Sequence, residues 1–127
     1  MASENLHAPR ERLSTETLTL HQAIVSVMEE LEAVDWYAQR ADDCEDAALR
    51  QVLLHNRDEE IEHACMVLEW LRRNHPVFAE EMQTYLFTDG PITALEGQAT
   101  GETAAAAPND AKPSRGGLTV GALKNTE

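Results

Sequence analysis

Apolar residues recur by threes and fours along the first third of the chain: Leu20, Ala23, Val27, Val34, Tyr37 and Ala41, widened by Ile24, Met28 and Leu31. That stripe belongs to a helix with one face toward a core. Ser14 is placed to cap it and Glu16 falls in its first turn, so a helix is predicted from just after Ser14 to about Asp42. A second stripe, Leu49, Leu53, Asn56, Glu60, His63, Val67 and Trp70, steps alternately by four and three, the rhythm of a helix packed at a shallow angle against a partner. Asp43, with Asp46 three residues on, is predicted to cap this second helix, and His75 before Pro76 stops it near Asn74. Pro76 then opens a short third helix to about Phe87, with Val77, Phe78, Met82 and Leu86 apolar. No stretch alternates with the period of a strand. The expected fold is all-α, an antiparallel two-helix hairpin with a short third helix.

Two helices of roughly 30 residues at ~1.5 Å per residue make a hairpin on the order of 40 Å long. Such a hairpin has no inside, and its apolar stripes stay largely open to water unless the chain associates. A second copy related by a two-fold axis closes the gap. Two hairpins face to face form a four-helix bundle, and a homodimer is therefore expected.

Both stripes are interrupted by groups that a core does not favour. Glu30 falls inside the first, and Glu60-x-x-His63 inside the second. On a helix, a carboxylate and an imidazole three positions apart point to the same side. Di-iron helical bundles use two such pairs with two further glutamates around two metals. This chain has one pair, but a dimer supplies Glu30, Glu60 and His63 twice, giving four carboxylates and two imidazoles at one place. That donor set suits iron or manganese, whereas zinc sites are more often richer in His or Cys. Taken alone, Glu60-x-x-His63 reads as a solvated face; its position on the apolar seam is what brings the metal reading level with that one. Glu29, Glu32 and Trp36 line a neighbouring face, and His55, Glu59 and Glu62 form another; spacing by itself makes both wet surface. Trp36 and Trp70 read as packing residues, Cys44 and Cys65 as reduced thiols filling small gaps, and His7, His21 and His75 have no visible partner.

Composition narrows the possibilities further. The chain has 127 residues, room for one domain, and 23 acidic against 10 basic side chains give a formal net charge of -13. So acidic a chain is poorly matched to nucleic acid or an anionic membrane, both of which need a basic stripe, and well matched to cations. The N-terminal stretch has no apolar core of signal-peptide length, and no run approaches the ~20 apolar residues of a membrane span, so a cytoplasmic location is expected. All six glycines lie at or after position 90. Residues 97–117, GQATGETAAAAPNDAKPSRGG, bury too little to offset chain entropy and read as a flexible linker. The expected organisation is a helical domain over 1–96, a linker over 97–116 and a short terminal segment over 117–127. In that segment GLTVGALK spaces Leu118, Val120 and Leu123 as apolar anchors between small residues, a pattern fit for a partner's groove.

AIVSVMEELEAVDWYAQR (23–40), HNRDEEIEHACMVLEWLRRN (55–74) and TYLFTDGPITALE (84–96) resemble the encapsulated ferritins, ferritin-like proteins packaged inside encapsulin nanocompartments. The resemblance implies a ferroxidase that oxidises Fe(II) with dioxygen at a di-iron centre across a dimer interface, with Glu30, Glu60 and His63 as ligands and Tyr37 beside the metals. It implies an inward route for iron past Glu29, Glu32 and Trp36, and weaker external metal binding at His55, Glu59 and Glu62. It further implies a ring-shaped homodecamer of five dimers, held inside the compartment by a cargo-loading peptide matching Leu118, Val120 and Leu123, with the shell storing the mineral. The alternative kept beside this is a non-catalytic helical cargo or metal-binding scaffold.

Overall fold

A computed structural model describes residues 5–99, and within them four α-helices and no strand. The residues 100–127, with most of the expected linker and the anchors Leu118, Val120 and Leu123, lie outside that description. After a 3-10 turn at Arg10–Arg12 come α1 (Thr15–Asp43), α2 (Ala47–Asn74), α3 (Pro76–Tyr85) and α4 (Ile92–Ala99). The described chain divides into two units between Asn74 and His75.

The first unit is the hairpin. Ser14 caps α1 as its side chain accepts from the Thr17 backbone N–H at 3.1 Å. The second helix is capped differently from the expectation. Asp43 is the last residue of α1, and Asp46 is the cap, its Oδ1 accepting from Leu49 N–H at 2.8 Å. The reason is local: α1 holds its ladder one residue further, and Cys44 closes it by donating its N–H to Ala41 O at 3.3 Å. Only Cys44, Glu45 and Asp46 separate the two helices, so they run antiparallel and pack along each other.

Among the described hairpin residues the buried apolar side chains are few: Val27 and Ala41 on α1, Ala64 and Leu71 on α2. Two are alanines, which let the helix backbones approach but bury little area. Half-buried Leu53, Glu60 and Val67 join Ala64 and Leu71 in one stripe on α2. Beside it runs a second, exposed stripe in two parts, Leu49 and Val52 near the start of α2 and His63, Met66 and Trp70 further on; Val52 is 52% and Met66 59% accessible. The seven-position stripe expected on α2 is therefore split. Leu53, Asn56, Glu60 and Val67 turn partly inward, whereas Leu49, His63 and Trp70 face out.

The second unit contains α3 and α4, which pack on each other. Pro76 takes the first position of α3 as expected, and His75 caps it by accepting the Phe78 N–H on Nδ1 at 3.4 Å. The helix stops at Tyr85, and Phe87 follows with φ 60°, the left-handed geometry usual for the residue after a helix. The helix α4 was not expected; it begins after Pro91, buries Leu95 and runs through Gly97 to Ala99. Gly97 reads as a breaker in sequence, yet one glycine costs only about 1 kcal/mol in a helix and is tolerated near an end.

Candidate metal centre

Glu30 and Glu60 lie equally far in sequence from Glu45 at the middle of the turn, so an antiparallel hairpin brings them level with each other halfway along its length. His63 sits one turn beyond Glu60 on the same side of α2. One ligand atom from each of Glu30, Glu60 and His63 lies within 4.8 Å of the other two. His63 Nδ1 is 3.3 Å from Glu60 Oε1 and 3.8 Å from Glu30 Oε1. The carboxylates are half-buried, with side chains 27% and 24% exposed, and the imidazole is more open at 45%.

Two carboxylates this close do not both ionise freely. The hydrogen bond to Glu60 is the main reason that Glu30 holds its proton above the ordinary carboxylate range, helped by desolvation and by the charge of Glu60, and opposed by His63. The same hydrogen bond, now accepted by Glu60, holds that carboxyl below its ordinary range, with His63 adding to the effect. Glu30 is therefore the carboxyl of the pair that takes up a proton first as pH falls. A divalent ion at this point would find oxygen on both carboxylates and nitrogen on His63. The set is the hard oxygen and imidazole mixture suited to iron or manganese. Three ligands leave such an ion undersaturated on a single chain.

The other expected site residues are placed as follows. Tyr37 stands two turns beyond Glu30 on α1 and is half-buried, and its ring faces the Arg40 guanidinium at 5.3 Å. Glu29 and Trp36 are exposed and Glu32 half-buried on the outer side of α1, where Trp36, Gln39 and Arg40 line a shallow open pocket. His55 Nε2 lies 3.9 Å from Glu59 Oε2, both well exposed, and Glu62 is exposed nearby without joining them in a three-ligand group among the described residues. Cys44 is half-buried, its Sγ donating to Asp46 O at 3.5 Å, and Cys65 is an exposed free thiol. Arg40 was not singled out by the sequence pattern. Its signal is its spacing, three residues after Tyr37 and four after Trp36, which lets one guanidinium reach both rings.

The chain matches the EncFtn-like family model over residues 5–89. It is 54% identical over 126 residues to the encapsulated ferritin-like protein of Rhodospirillum rubrum, covering 97% of this chain and 90% of that one. It is 48% identical over 99 residues to the ferritin-like protein of Thermotoga maritima, covering 78% of this chain and 87% of that one. An encapsulin nanocompartment cargo protein of Myxococcus xanthus is 31% identical over 123 residues, 93% of this chain and 94% of that one. A crystal structure of a Nitrosomonas europaea protein superposes with a TM-score of 0.67 at 53% identity, covering 69% of this chain and 97% of that one. With most of its length accounted for in each comparison, the chain belongs to the EncFtn-like family.

Proposed function

We propose that this chain is a ferroxidase whose centre is completed by a second copy. Fe(II) is the substrate, two ions per dimer. Glu30, Glu60 and His63 of each chain bind them, dioxygen takes one electron from each, and Fe(III) is passed on for mineralisation inside an encapsulin nanocompartment. The observation that carries this reading is the convergence of three ligand atoms from two helices, all within 4.8 Å, at the middle of a hairpin whose neighbouring apolar stripe is open. The names of its relatives support the iron and encapsulin parts.

The chain's own residues have definite tasks in this scheme. Two ferrous ions bring four positive charges, and the four carboxylates of Glu30 and Glu60 in a dimer balance them. Metal binding competes with the proton that Glu30 holds more tightly than an ordinary carboxyl. Met66, once covered by a partner, adds apolar surface one turn from His63, and Leu49, Val52 and Trp70 extend that cover along α2. Tyr37 stands beside the metals in the assembled centre, Glu29, Glu32 and Trp36 mark the inward route, and His55, Glu59 and Glu62 hold cations more weakly outside. Dimers assemble into a homodecameric ring, and Leu118, Val120 and Leu123 dock it to the shell protein.

The test is an anaerobic Fe(II) titration of the assembled protein followed by addition of dioxygen. Two tightly bound irons per dimer, oxidised faster than free iron, are expected, with Glu60→Ala losing both properties. The exposure of His63 favours a second reading, a non-catalytic helical cargo or cation-binding scaffold. Absence of stoichiometric binding, or oxidation no faster than that of free iron, would select it.

A further inference from the structure

Among the described helices, α1, α2 and α3 each begin with a side-chain cap, and the caps differ in chemistry. Ser14 uses a hydroxyl and Asp46 a carboxylate, whereas α3 is capped by the imidazole of His75, at the boundary between the two units. Of these groups, imidazole is the one that ordinarily changes charge between roughly pH 5 and 8. His75 Nδ1 accepts the Phe78 N–H at 3.4 Å, a bond that requires a neutral ring with its proton on Nε2. Pro76 confines the residue before it to extended backbone, and His75 accordingly has φ -135° and ψ 111°. The Phe78 ring meets the imidazole edge-on, with centroids 5.2 Å apart and planes at 86°. Pro76 has no N–H, and the Ala79 N–H is satisfied by His75 O at 3.0 Å. Val77 and Phe78 are left as the first-turn donors that the helix ladder does not reach, and the imidazole serves one of them.

We propose that His75 is a proton-sensitive cap, which holds the first turn of α3 at neutral pH and releases it as pH falls through the imidazole range. A proton on Nδ1 turns the acceptor into a donor facing another donor, and it sets a cation at the positive end of the helix. The charged groups around it are Arg72 and Arg73 at the end of α2, both occupied by Glu69, then Glu80 and Glu81 on α3, Asp89 after α3, and Glu96 on α4. None of them forms an ion pair with His75 among the described residues, and the first turn of α3 carries no acidic residue to offset the new charge. The stabilisation is thus present while the ring is neutral and lost once it is protonated. The hairpin that carries Glu30, Glu60 and His63 starts its helices on a hydroxyl and a carboxylate, so mild acid loosens α3 before it reaches those caps.

Amide hydrogen exchange of the full-length protein, followed by mass spectrometry of peptides spanning α3, reads the opening of that turn. Rates are taken at about pH 7.5 and about pH 5.5, either side of the imidazole range, and divided by those of unstructured chain at the same pH. The parent is compared with His75→Asn, whose amide oxygen can cap at both values, and His75→Ala, which can cap at neither. In the parent, protection at the start of α3 should fall roughly fivefold between the two values, the fold-change of one helix cap. His75→Asn should keep its protection at the lower pH, and His75→Ala should be low at both. A fall of equal size in the parent and His75→Asn overturns the proposal, since the loss would then owe nothing to the imidazole. Equal protection of His75→Ala and the parent at about pH 7.5 overturns it as well, because the ring would then be holding nothing.

Discussion

At the scale of single residues, competition for the proton of Glu30 sets how this centre responds to pH. Glu30 has its proton affinity raised and Glu60 has it lowered by one and the same hydrogen bond. A cation that needs both carboxylates must displace that proton, so its apparent affinity falls as pH drops through the raised range of Glu30. Calorimetric Fe(II) or Co(II) titrations in buffers of different ionisation enthalpy should detect proton release that grows as the pH is lowered. Glu30→Gln should abolish the release, and tight binding with it. Residue chemistry was also what the sequence disclosed best. Glu30 and Glu60-x-x-His63 stood out because carboxylates on an apolar seam demand a partner. The outer residues Glu29, Glu32 and Trp36 do not stand out in this way, since charge at helical spacing is what any wet face carries.

At the scale of elements, the caps and the charged last turn of α2 determine how well each helix is tied down. Asp46 satisfies the Leu49 N–H at the start of α2, close to the turn, and Asp46→Ala should lower stability by about 1 kcal/mol in denaturant unfolding. Glu69 accepts from Arg72 at 2.8 and 2.6 Å and from Arg73 at 2.7 Å, and its carboxyl is pulled down to about 2, chiefly by the hydrogen bond from Arg72. A carboxyl whose folded value is depressed adds stability above its ordinary value of 4.5 and loses it as pH falls toward 2. The melting temperatures of the parent and Glu69→Gln should therefore differ slightly near neutrality and converge at the acid end; the group is partly exposed to water, which screens the pairs, and the difference is small. Helices α1, α2 and α3 were legible because long 3.6-residue periodicity and the Pro76 stop are strong signals. The true cap of α2 was not, since Asp43 and Asp46 are chemically alike and only the length of α1 chooses between them. The helix α4 was obscured by its single glycine and short apolar run.

At the scale of the whole molecule, a hairpin that buries so little invites association. Leu49, Val52, Met66 and Trp70 lie open along α2, and burying them at roughly 25 cal/mol per Å² would supply much of the drive for pairing. Val52→Glu places a charge on that stripe near the start of α2 without touching a ligand. It should shift the protein toward monomers in sedimentation and lower stoichiometric iron binding in step. Removing residues 117–127 should leave Fe(II) oxidation intact and prevent co-purification with the shell protein; normal packaging of the truncated chain would refute the docking role. Periodicity could show that a partner is needed, because an unfilled stripe is visible in one chain. It could not show which of two adjacent stripes on α2 turns outward, since that follows from how closely Ala41 and Ala64 let the helices approach.

The three-residue connection Cys44–Asp46 carries a further consequence, for how this chain tolerates insertions. Residues added at the far ends of α1 and α2 leave the opposition of Glu30 and Glu60 untouched. One residue added near the start of α2 would rotate everything after it by about 100° and slide it by ~1.5 Å, turning His63 away from Glu30. The connection therefore works as a caliper. Length variation among working versions of this chain should collect at its outer ends and spare the span from Glu30 to His63.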